Sequence, residues 1–265
     1  MTKFKFQGLL FAGALTMAAT ASQAAVVFDN MTAVEAGTPG AVVTATSSTP
    51  NTFMGDAYGL AAGTTSITGF DFFPVNLSGT AFTQLKMNVY IWGTVNTGTV
   101  NATTPAFSNL LSTFSVTSAV STFPTGSYFS FESASPGVTP GITLNTPINV
   151  TGSSIGFTMN VQGSTDGLTF ASVTSLSSLI TYGAAPTVGS TVLGGAVGGY
   201  YRNANSEVNG NFTSTLRSVG TSPTSEALAL RVYGTVSAVP EASTWLMMGL
   251  GLAAIGLLAL RRQQR

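Results

Sequence analysis

Three stretches of the chain alternate with a period of two. Leu85, Met87, Val89 and Ile91 share one side, and Lys86, Asn88, Tyr90 and Trp92 the other. Ile155, Phe157, Met159 and Val161 alternate with Gly156, Thr158 and Asn160. Leu228, Leu230 and Val232 alternate with Ala229, Arg231 and Tyr233. Side chains on a strand point to opposite faces in turn, so each stretch reads as a strand with one face in a core and one in water. Shorter strands are expected at 25–28, 66–72, 113–116, 127–131, 170–173 and 211–216. Turn chemistry separates them at Asn96-Thr97-Gly98, Ser135-Pro136-Gly137 and Ser164-Thr165-Asp166-Gly167.

Many short strands, Gly/Pro turns and the absence of a convincing amphipathic helix predict an all-β body. Two packed antiparallel sheets are the expected form. Strands separated by long loops fit Greek-key crossings better than tight hairpins, so a jelly-roll-like β-sandwich is preferred to an up-and-down barrel. No repeat of constant period argues for a solenoid. The low-complexity stretches 38–51 and 186–199 read as loops.

The two ends depart from this pattern. Lys3 and Lys5 precede a charge-free apolar run from Leu9 to Ala19, and Ser22-Gln23-Ala24 supplies the small residues of a cleavage site between Ala24 and Ala25. That order predicts a secretory signal helix in 1–24. At the other end, 244–260 is uncharged over 17 residues. As a helix it spans about 25 Å, near the short limit for a hydrocarbon core of about 30 Å. Trp245 suits the headgroup zone, and Arg261 and Arg262 form the stop. The positive-inside rule keeps these arginines cytoplasmic and the body outside. The expected organisation is a signal peptide at 1–24, a β-sandwich at 25–236, and a tail at 237–265 with its transmembrane helix at 244–260.

The tail combines Val239-Pro240-Glu241-Ala242-Ser243-Thr244-Trp245, a Gly/Leu/Ala helix and an Arg-rich tip. It resembles the PEP-CTERM sorting signal, also called the ice-binding protein C-terminal domain. The family norm is Pro-Glu-Pro, and Ala242 stands at the third position here. The resemblance implies a Gram-negative exporter of exopolysaccharide. Its membrane-embedded exosortase would recognise the tail at the inner membrane and release the protein toward the cell surface or extracellular matrix.

Composition narrows the chemistry of the body. Only 7% of residues are charged and mean hydropathy is +0.37, while 40 Thr, 29 Ser and 30 Gly supply polarity without ions. The absence of Cys and His excludes thiol nucleophiles, disulfides, His-based triads and the usual zinc sites. Between the ends, four basic residues (Lys86, Arg202, Arg217, Arg231) face eight acids (Asp29, Glu35, Asp56, Asp71, Glu132, Asp166, Glu207, Glu226). No basic patch can neutralise phosphates, so nucleic acid is not an expected partner.

Four kinds of site remain. A pair of carboxylates could hydrolyse glycosides, but no local spacing nominates one. Calcium needs only oxygens, and Asp29 and Asp56, with Asn30 and Glu35 nearby in sequence, could converge on it. Tyr90 and Trp92 share a strand face and could stack a sugar ring or pack across strands beneath a loop. Thr-x-Thr steps at 44/46, 97/99 and 213/215 recur at no period, which argues against an ice-binding array. No cofactor is expected unless calcium binds. The expected function is that of an exported, non-enzymatic surface or biofilm-matrix protein associating with exopolysaccharide. The alternative is a secreted glycosidase-type enzyme using an acid pair.

Overall fold

A computed structural model describes residues 25–31, 41–42, 53–96, 107–172, 176–181, 185–192, 200–203, 215–217, 227–237, 251, 255 and 261. Among the described residues the body is all-β and every strand pairing is antiparallel. In chain order the strands are β1 (Ala25–Asp29), β2 (Ala41–Val42), β3 (Phe53–Gly59), β4 (Thr64–Phe72), β5 (Pro74–Asn76) and β6 (Phe82–Val95). Then come β7 (Phe107–Phe123), β8 (Ser127–Tyr128), β9 (Ile142–Asn149), β10 (Ser154–Ser164), β11 (Ala171–Ser172) and β12 (Leu176–Thr181). The last are β13 (Ser190–Thr191), β14 (Tyr200–Asn203), β15 (Thr215–Arg217), β16 (Ala227–Leu228) and β17 (Leu230–Val236).

One sheet runs β1-β17-β4-β9. A larger one runs β15-β14-β3-β10-β6-β7, with β11 beside β10 and β13 beside β3. A third runs β16-β12-β5-β8, with β2 beside β12. Sequential strands β6 and β7 are neighbours, but β1–β17, β17–β4, β4–β9, β3–β10 and β10–β6 all join strands distant in sequence. The first two sheets bury a shared apolar cluster. It takes Val27, Phe28, Ile67, Phe70, Phe72 and Val232 from one, and Tyr58, Leu85, Met87, Val89, Ile91, Phe157 and Met159 from the other. Phe70 is the clearest bridge: its ring stacks on Phe114 of β7 (centroids 5.5 Å apart, 13°) and meets Phe157 of β10 edge-on at 5.6 Å.

The alternation of β6 is realised. Leu85, Met87, Val89 and Ile91 are buried, whereas Lys86, Asn88 and Tyr90 are half-buried. In β10 and β17 both faces are buried instead, against the expectation of one wet face. Thr158 and Asn160 are enclosed with Phe157 and Met159, and Arg231 and Tyr233 with Leu230 and Val232. For β10 the reason is a second, smaller cluster of Phe53, Ala57, Trp92 and Phe107 on the far face of the large sheet. It forms where glycine leaves room: a Cβ on Gly156 would overlap the Phe107 ring.

The turns expected at Ser135–Gly137 and Ser164–Gly167 are present, with Gly137 and Gly167 at φ of 79° and 76°, a region that glycine enters without steric cost. Asp166 builds the second turn by accepting from the Leu168 and Thr169 amides, both at 2.8 Å. These bonds to its charged form, with one from the Ser164 hydroxyl, hold its carboxyl well below the ordinary range.

Candidate functional site

Two places gather polar chemistry. The first is a buried ionic cluster in the β1-β17-β4-β9 sheet. Asp29 on β1, Arg231 on β17 and Asp71 on β4 stand in register across three neighbouring strands, Asp29↔Arg231 and Arg231↔Asp71. Arg231 is 3% exposed and Asp71 fully buried. The Arg231 Nε donates to Asp29 Oδ2 at 3.1 Å, and its Nη1 donates to Asp71 Oδ2 at 3.1 Å and to Glu132 Oε1 at 3.4 Å. Asp71 also accepts from the Tyr233 hydroxyl at 2.6 Å and the Gly141 amide at 2.6 Å. Tyr233 in turn accepts from the Gly137 amide at 2.8 Å. Burial, reinforced by the bond to Asp71, pushes the Tyr233 phenol up to about 12. One arginine thus gathers three of the eight acids between the ends and pins the 132–141 loop over them.

Next to it a second polar group holds the link between β16 and β17. Asn30 donates to the Leu228 carbonyl at 3.0 Å and accepts from the Leu230 amide at 2.8 Å. Tyr58 donates its hydroxyl to the same Leu228 carbonyl at 3.2 Å. Asp56 accepts from the Leu228 amide at 2.9 Å and the Ala57 amide at 2.7 Å. Burial raises the Asp56 carboxyl well above its ordinary 3.8, and these two amides only partly oppose that. Burial, then the Asp56 charge, raises the Tyr58 phenol.

Asp56 therefore carries a pH prediction. A carboxyl with a raised folded pKa holds its proton more tightly folded than unfolded, so its contribution to stability falls as pH rises from about 3.8 through the folded value. Urea midpoints measured from pH 4 upward should fall less steeply for Asp56→Asn than for the parent. A pH-independent offset of about 1 kcal/mol is expected because one amide loses its acceptor. Parallel curves would show that Asp56 does not titrate differently on folding.

The second place is a groove of about 270 Å³ between β7 and β9, the edge strands of the two packed sheets. Ser112, Ser115, Thr143, Asn145 and Thr146 line it with Phe114, Val116, Ile142 and Leu144. No lining residue is ionisable.

The sequence-predicted residues fall as follows. Tyr90 and Trp92 share a face, with rings 6.4 Å apart and nearly parallel. Trp92 is only 2% exposed, however, and is not the open ring that its place on a wet face predicts. Its ring lies 6.3 Å from Phe107, and its Nε1 donates to Thr158 Oγ1 at 2.9 Å. This is the packed, cross-strand arrangement. Asp29 and Asp56 are both buried but look to different partners, Asp29 to Arg231 and Asp56 to the Leu228 amide. Among the described residues, no group of three or more His, Cys, Asp or Glu is placed to hold a metal ion. Glu35 lies outside them, as do 1–24, 97–106, Val239, Pro240, Glu241, Ala242 and Arg262. Ala25 opens β1, and Gly251, Ile255 and Arg261 carry helical backbone and are exposed. Among the described residues no helix is long and apolar enough to cross a membrane. The Arg231 cluster was not foreseen. Its signal was an ionic residue inside three apolar runs: Phe28-Asp29, Phe70-Asp71-Phe72 and Leu230-Arg231-Val232.

Residues 238–263 match the family model of the PEP-CTERM protein-sorting motif. No curated protein and no solved structure matches the chain. The tail resemblance is thus shown: the chain carries a PEP-CTERM sorting signal, which marks an exported protein sorted by an exosortase to the cell surface.

Proposed function

From a PEP-CTERM tail attached to this body, we propose a non-enzymatic, jelly-roll-like β-sandwich that serves at the cell surface or in the biofilm matrix of a Gram-negative bacterium, associated with exopolysaccharide. The single observation that carries it is the match at 238–263, directly after the last strand of the body. In this reading 1–24 is removed on export, the 244–260 helix holds the chain in the inner membrane, and the exosortase cuts near Ala242.

The non-enzymatic reading draws support from the acids. The three that cluster, Asp29, Asp71 and Glu132, are compensated by Arg231, and Asp71 is fully enclosed. A glycosidase pair must instead flank the scissile bond of a bound sugar. Association with a neutral polysaccharide fits a groove that offers hydroxyls, an amide and apolar surface without charge. Trp92 does not contribute a stacking ring in this proposal, because it is buried.

Mass spectrometry of the protein from culture medium tests the sorting half. The expected mass begins near Ala25 and stops near Ala242; an intact tail retained in the inner membrane would overturn it. Retention of the released protein on the host's own exopolysaccharide, unchanged between low and high salt, tests the binding half. No retention at either salt would leave a purely structural role.

A further inference from the structure

The edges of the sheets are not alike. Edge strands expose unpaired backbone donors and acceptors, and proteins blunt them with charge, proline or brevity. Here β1 is five residues long and carries Asp29, β9 contains Pro147, β15 has three residues including Arg217, and β8 and β16 have two each. The exception in charge, proline and length is β7, at 17 residues (Phe107–Phe123), whose register with β6 is regular from Ser112 to Ala119 and shifts on either side. It borders the large sheet, and among the described residues no strand lies on its outer side. Ser108, Asn109, Leu110, Thr113, Ser115 and Thr117 are exposed along it, Leu110 by 46%.

The β7 sequence is also a chemical palindrome about Ser115. Counting outward, Phe114 mirrors Val116, Thr113 mirrors Thr117, Ser112 mirrors Ser118 and Leu111 mirrors Ala119. Further out, Leu110 mirrors Val120, Asn109 mirrors Ser121, Ser108 mirrors Thr122 and Phe107 mirrors Phe123. Antiparallel pairing of a strand with its own copy sets such mirror positions opposite each other on the same face. Across the regular stretch about Ser115, Phe114 then meets Val116 and Thr113 meets Thr117. Cross-strand matching of this kind stabilises a sheet, and a two-fold interface requires a self-complementary surface.

We infer that β7 pairs edge to edge with β7 of a second copy of this chain, antiparallel, about a two-fold axis at Ser115. The inference rests on the edge and sequence of β7, a strand that also lines the groove through Ser112, Phe114, Ser115 and Val116. The pairing continues the large sheet from one copy into the next, and the β7–β9 groove of each copy comes to border the axis.

The test uses the full chain in detergent, since tail helices could also associate. Sedimentation should show a dimer. Thr113→Lys with Thr117→Lys sets lysine opposite lysine on both sides of the axis and should weaken association at least about tenfold. Thr113→Lys with Thr117→Glu sets opposite charges there and should restore it. The chain has no cysteine, so Ser115→Cys should form an interchain disulfide on mild oxidation. Antiparallel partners lie about 4.5–5.5 Å apart at Cα, within disulfide reach. Ser108→Cys, far from the axis, should form none. A monomeric parent overturns the inference. So does a dimer indifferent to the double lysine variant whose Ser115→Cys form does not cross-link, since association then lies in the tail. If the lysine variant fails to fold by circular dichroism, the cysteine pair alone decides.

Discussion

Arg231→Leu should lower the unfolding free energy by about 3–5 kcal/mol, because it removes the compensating charge from carboxylates that stay buried. Asp71 has no exposure and Asp29 little, so neither regains water in the folded state. Their amide and phenol donors remain, namely Gly141 and Tyr233 on Asp71 and Met31 on Asp29. These satisfy lone pairs but carry no positive charge. The loss should appear as a lower denaturant midpoint with an unchanged slope. Glu132→Gln is the contrast. Its partner distance is 3.4 Å and its side chain is 16% exposed, so less than about 1 kcal/mol is expected. Equal effects from the two variants would mean that the three carboxylates do not depend on burial in the way the distances require.

Phe70→Ala should cost a similar amount, about 3–5 kcal/mol, for a different reason. Phe70 is 1% exposed and contacts Phe114 and Phe157 on the opposing sheet. Truncation removes the transfer free energy of the ring and leaves a void that rigid strands on both sides cannot close. Leu168, 86% exposed at the Asp166 turn, provides the control. Leu168→Ala should stay within about 0.5 kcal/mol of the parent. Thermal denaturation of the three proteins side by side separates these outcomes. A small effect at Phe70 would mean that the sheets hold together elsewhere in the shared cluster.

How much of this was legible depended on how far local pattern decides burial. In β6, alternation alone located the core face from Leu85 to Ile91, since one side of that strand faces the shared core and Lys86, Asn88 and Tyr90 on the other are only half-buried. At Trp92 the same rule chose the correct face but the wrong environment. The partner register slips between Ile91 and Trp92, and Phe53 and Phe107 cover the indole. Residues 39 and 15 positions away supplied the cover, and no local period encodes that. Strand β3, Phe-Met-Gly-Asp-Ala-Tyr-Gly, is buried throughout and has no alternation to find. Strand β9 holds Pro147, a residue that argues against a central strand and suits an edge. The tail was readable because its signal is local: a short motif, an apolar run and arginines in fixed order. The Arg231 cluster was not, because Asp29, Asp71 and Arg231 are far apart in sequence and meet through strand register, and Glu132 joins them from a loop.

That meeting has a temporal side. Val236 ends β17 and the matched motif starts at residue 238, so a single residue, spanning about 3.5 Å, separates the two. The strand that closes the sheet between β1 and β4 is thus the last piece of the body to emerge, immediately ahead of the sorting address. The sorting motif begins two residues after a strand that must dock for the sheet to close. Completion of the sheet and presentation of the sorting signal therefore fall on one short length of chain. A variant with several glycines inserted after Ser237 would pull them apart.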